Sequence, residues 1–151
     1  MKLLTSLLLA FLLALSAQAE IISTSGLGAG QQKVLGTLRA ANFNSTADQA
    51  IPIPAQITAF QITSIVATNC SASLTLAVGG FYPTTSKGGT PIVAATQIYS
   101  TLTGATLLLA TTIAATPLVT RYTISTVYLS LTTAQGGAAT CDVYVVGVDL
   151  T

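Results

Sequence analysis

The sequence predicts an all-β fold, a single-domain antiparallel β-sandwich or jelly roll that follows an N-terminal signal peptide. Three observations predict it. Apolar residues alternate over short runs separated by Gly, Pro and Asn turns, at a spacing that gives seven or eight strands. Threonine supplies 25 of the 151 residues, and its β-branched side chain packs a methyl on a pleated surface while showing a hydroxyl to water. Charged residues make up only 6% of the chain, yet 51% is hydrophobic, which separates it from disordered linkers and mucin-like stalks.

The first residues, MKLLTSLLLAFLLALSAQAE, have the order of a secretory signal: Lys2, an apolar stretch from Leu3 to Leu15, then Ala17-Gln18-Ala19. The apolar stretch is shorter than the roughly 20 residues that span a bilayer. Cleavage between Ala19 and Glu20 gives residues 1–19 as signal peptide, 20–34 as a flexible lead-in and 35–151 as the β-domain. No cysteine follows the cleavage site, so a lipid anchor is not indicated. The expected location is secreted or periplasmic.

Within the domain, Gln32 to Ala41 reads as a short strand or a turn of helix, and Asn42 to Gln49 as a polar turn. Ile51-Pro52-Ile53-Pro54 is extended, because each proline disfavours helix in the residue before it, and suits a sheet edge. In Ile57 to Asn69 the alternation puts Phe60, Ile62 and Val66 on one face, with Gln61, Thr63 and Ile65 on the other. Leu74 to Val78 alternates and is expected to end at Gly79-Gly80. Ile92 to Tyr99 reads as a strand or a strand–helix mix, and Thr101 to Val119 as two short strands with a turn near Ala114 to Pro117. In Arg121 to Thr132 the apolar phase switches near Ser125-Thr126, the mark of a bulge or bend. Cys141 to Leu150 closes the chain, with Tyr144, Val146, Val148 and Leu150 on one face.

Charge and chemistry narrow the function. After cleavage four basic residues (Lys33, Arg39, Lys87, Arg121) balance four acidic ones (Glu20, Asp48, Asp142, Asp149). A neutral chain has no cation cluster for nucleic acid or for anionic membranes, and weak self-repulsion permits association. The chain contains no histidine, so it offers no histidine triad, zinc site or proton shuttle. Asp142 and Asp149 lie an odd number of residues apart, on opposite faces of a regular strand, and do not pair for glycoside chemistry. Thr84-Thr85-Ser86-Lys87 lacks the desolvated lysine and the helical spacing of a hydroxyl–lysine pair. The expectation is a non-enzyme without cofactor or metal. Cys70 and Cys141, the only cysteines, read as a disulfide in an exported chain, with two free thiols as the alternative.

The phrases "NFNSTADQAIPIP", "SLTLAVGGFYPTTSKGGTPIVAATQIYSTLTGAT" and "YLSLTTAQGGAATCDVYVVGVDL" resemble small virion-associated, capsid-decorating proteins of tailed bacteriophages and proteobacterial prophages, over roughly Leu35 to the C-terminus. The resemblance implies an oligomeric β-sandwich that decorates a capsid or otherwise belongs to a virion. The signal peptide and the cysteine pair depart from that pattern and suit an oxidising compartment. Two functions follow: a structural or assembly protein with a homo-oligomer or particle lattice as partner, or a secreted adhesin or carbohydrate-binding module. In the second, Tyr82, Tyr99, Tyr122, Tyr128 and Tyr144 are candidates for a surface-glycan platform. Phe81, Tyr82 and Lys87 mark a candidate partner-contact loop.

Overall fold

A computed structural model describes residues 31–151, so the predicted cleavage site at Ala19 and Glu20 lies outside the described residues. Seven strands form: β1 (Gln32–Asn42), β2 (Gln49–Pro52), β3 (Phe60–Thr68), β4 (Val78–Tyr82), β5 (Leu108–Thr111), β6 (Thr126–Thr133) and β7 (Thr140–Asp149). One short helix, α1 (Ala115–Val119), lies between β5 and β6. The strands form a four-stranded sheet in the order β1-β7-β3-β5 and a three-stranded sheet in the order β2-β6-β4, with neighbouring strands antiparallel throughout.

Consecutive strands alternate between the two sheets from β1 to β7. That winding is a jelly roll, and the place of an eighth strand beside β4 is taken by an irregular strap over residues 92–99. Phe81 bridges to Val93 and Val78 to Ile98, both antiparallel, and Gly79 and Tyr99 add backbone bonds to Gln97 and Ala77. The strap is all that forms of the strand predicted from Ile92 to Tyr99.

The inner faces bury Leu35, Ile51, Phe60, Ile62, Ile65, Phe81, Leu129, Leu131, Val143 and Val145 in one continuous core. Each such side chain contributes roughly 1.5–3 kcal/mol of transfer free energy. Phe43 meets Tyr99 edge-on at 5.0 Å, and Phe60 stacks on Tyr122 at 5.8 Å, which ties the ends of the sandwich to its loops.

Several expectations from the sequence are corrected. Strand β1 begins at Gln32, so the domain starts inside the segment read as a lead-in. A register shift between Ile62 and Ser64 turns Ile65 and Ala67 inward with Phe60 and Ile62, and leaves Val66 half-buried on the other face. Leu74 to Val78 is not a strand; β4 starts at Val78 and runs through Gly79-Gly80. A side chain at Gly79 would collide with the backbone of Leu131, and one at Gly80 with the strap's Val93 and Ala94 carbonyls. Those glycines permit close backbone approach inside a strand instead of ending it. Thr101 to Val119 holds one strand, β5, and α1 in place of two strands.

The phase switch at Ser125 is the crossing between sheets. Tyr122 exchanges backbone bonds of 2.7 and 2.9 Å with Phe60 on one sheet, and Thr126 already pairs with Pro52 on the other.

Candidate functional site

The loop between Pro83 and Pro91 is a pinned corner. Ser86 and Lys87 both adopt φ of 56° and Gly89 a φ of 76°, so the chain reverses through left-handed backbone. The Asp48 carboxylate, just ahead of β2, accepts the Ser86 N–H and holds the turn against the sandwich. That bond, then the Ser130 hydroxyl and the Lys87 charge, keep the Asp48 carboxyl below its usual range. Ser130 Oγ is fully buried and faces Asp48 without a hydrogen bond of good geometry among the described residues. Phe81 and Tyr82 belong to β4 and are buried, which removes them from the predicted contact loop. Of the three predicted contact residues only Lys87 is exposed, beside the exposed Thr84, Thr85 and Ser86.

The second polar cluster surrounds the cysteines. Cys70 and Cys141 form a disulfide, as expected, with Cα atoms 4.1 Å apart. Asn69, at φ 52°, inserts one left-handed residue after β3, and Cys70 thereby comes opposite Cys141. Asp142 gathers the irregularities of this corner. Its carboxylate accepts the N–H of Ala40 at 3.0 Å, itself a bulged residue at φ 50°. It also accepts Asn69 Nδ2 at 3.0 Å and Arg39 Nη1 at 2.7 Å. Those three donors, in that order of effect, lower its pKa. Arg39 lies 4.9 Å over the Tyr144 ring. At the other end of β7, Asp149 pairs with Lys33 at 2.6 Å, and that bond with those from Thr151 takes its carboxyl down to about 2.

These carboxylates hold a loop, a bulge and a strand end, and no two of them share a cleft. Among the described residues no group of three His, Cys, Asp or Glu side chains could hold a metal. At least two open depressions lie among the described residues. One of about 410 Å³ is lined by Ala94, Thr96, Gln97, Ile98, Thr112 and Ala114. The other, about 220 Å³, is lined by Pro83, Thr90, Thr116, Pro117, Thr120 and Tyr122. Neither contains a carboxylate, lysine or arginine. The tyrosines make no common platform: Tyr82, Tyr99 and Tyr122 are buried, while the half-buried Tyr128 and Tyr144 stand in different sheets. Burial pushes all three buried phenols up in pKa.

What sequence reasoning missed is the distribution of exposed apolar side chains. Val34, Leu76, Ile98, Leu107, Leu108, Leu118, Val119 and Leu150 are exposed, and five of these eight fall within residues 88–120. That run contains no charged residue, whereas all seven charges of the described chain lie outside it. The signal was present in the sequence as a 33-residue stretch free of Asp, Glu, Lys and Arg. Comparison with known proteins finds no matching family model, no matching curated protein and no matching solved structure.

Proposed function

We propose that this chain is a non-enzymatic structural or assembly protein: an exported jelly roll that works as a homo-oligomer or as a decoration on a particle lattice. The observation that carries the reading is a surface with few charges, four of the seven among the described residues held in two ion pairs, beside exposed apolar side chains concentrated in one uncharged run. Single exposed apolar residues are ordinary on any protein, but a concentration in one uncharged run marks an interaction surface. The Cys70–Cys141 disulfide suits an oxidising compartment and so supports export. The resemblance to virion-associated proteins of tailed phages and prophages supports the same class, and jelly rolls serve both capsid and lectin domains, so the fold alone does not choose between them. Light scattering on the mature protein, with co-sedimentation against phage particles, tests the reading. A multiple of the chain mass or stoichiometric particle binding is expected. A monomer that binds no particle, together with a saturable ligand on a glycan array, would replace it with the binding-module reading.

A further inference from the structure

The sandwich has four lateral edges, and three of them are blunted against pairing with another chain. Strand β1 carries Lys33 and Arg39 and two register shifts, between Val34 and Gly36 and between Leu38 and Ala41. Strand β2 is four residues long and ends in Pro52, with Pro54 beyond. Strand β4 is covered by the strap. Charges, bulges, prolines and covering segments are the ordinary devices that stop edge strands from adding to one another. The fourth edge, β5, is as short as β2 but carries no charge, bulge, proline or covering segment among the described residues.

Residues 108–111 make their ladder to β3 on one side, and no other described segment bonds to their backbone. Leu108 is 64% exposed and the neighbouring Leu107 40%. Ile98 on the strap, 57% exposed, and Val119 on α1, 77% exposed, belong to the same uncharged run.

We propose that β5 is a self-association edge, at which two copies of this chain pair β5 to β5, antiparallel across a two-fold axis. The proposal rests on the assembly reading above and assigns it a surface. A second copy is the occupant the molecule itself favours. An antiparallel edge is self-complementary about a two-fold, so one patch serves both partners. The flank brings no like charges together, and the other three edges offer β5 no place to dock, which closes the assembly at a dimer instead of a filament. Four paired residues do not hold a dimer alone. A stable interface needs about 1,200 Å² or more in total, so the dimer must also bury exposed side chains beside the edge, Leu107 among them.

Sedimentation velocity and amide exchange on the mature protein test this with two variants, Leu108→Lys on the edge and Leu76→Lys as a control at 59% exposure away from it. Both replace solvent-exposed side chains, and an unchanged thermal midpoint of the dilute protein verifies that each folds. The wild type is expected at twice the chain mass with slowed exchange at residues 108–111. Leu108→Lys is expected at once the chain mass with fast exchange there, and Leu76→Lys at twice the mass. An oligomeric wild type that Leu108→Lys leaves intact overturns the β5 assignment while leaving the assembly reading standing. A wild-type monomer overturns self-association itself. If residues 108–111 are nonetheless protected in that monomer, the chain's own N-terminal residues cover the edge.

Discussion

Replacing both Cys70 and Cys141 by alanine removes a cross-link between two strands that are already neighbours. Thr68 of β3 pairs with Asp142 of β7, so the ladder survives, and the loss falls mainly on the unfolded state. The cysteines are 71 residues apart, and the chain-entropy relation for a loop of that size gives about 4 kcal/mol. That is a large share of the roughly 5–15 kcal/mol by which single domains are stable. With an unfolding entropy of about 2.1 cal/mol/K per residue, the thermal midpoint is expected to fall by about 15 °C. Calorimetry on the oxidised wild type and the double alanine variant, at matched concentration, reads the difference. A fall of less than about 3 °C would show that the unfolded chain is not held open by this loop, and the entropic reasoning would be refuted.

Three further outcomes are expected. Asp48, Asp142 and Asp149 have carboxyl pKa values below 3.8 in the folded chain, Asp149 at about 2, so the stability they add is full above the unfolded value and is lost as pH falls from about 4 towards 2. No histidine titrates near neutrality, and the raised tyrosine pKa values withdraw stability only above about pH 10; a thermal midpoint with a step near pH 6.5 would contradict this. Asp142→Asn removes the charge that accepts from Ala40, Asn69 and Arg39, and is expected to cost about 1–3 kcal/mol in urea unfolding. Arg39→Ala, which removes a largely exposed cation, should cost less. Gly147→Ala drives a methyl into the Gln61 carbonyl and to 2.7 Å from Leu35 Cδ1, and should lower the urea midpoint by an equivalent of about 1–3 kcal/mol, with no change expected at exposed Gly137.

The sequence carried the fold class because the winding of a jelly roll leaves short alternating strands and turn residues that are local signals. The edge character of β2 followed from Pro52 and Pro54, and the final strand from its unbroken alternation. The errors have one cause, which is that a neighbour decided the conformation. Alternation through Ile57 to Asn69 could not show the shift at Thr63 that exchanges the faces of Ile65 and Val66, because that shift is made against β7. Gly79-Gly80 reads as a turn unless the close approach of β6 and the strap is known. Leu74 to Val78 alternates in sequence, but only Val78 pairs with a strand among the described residues. For the site, the disulfide and the corner geometry around Lys87 were legible, whereas the exposed β5 edge was not. An apolar run such as Leu107-Leu108-Leu109 looks the same in a buried strand as on a bare edge.

The proposed role of this domain is assembly through its surface, and sedimentation equilibrium of the wild-type mature protein over a dilution series tests it most directly. The expected mass is that of two chains, giving way to one only on dilution, and insensitive to salt because apolar contacts and backbone pairing hold the dimer. A single-chain mass at every concentration would contradict it.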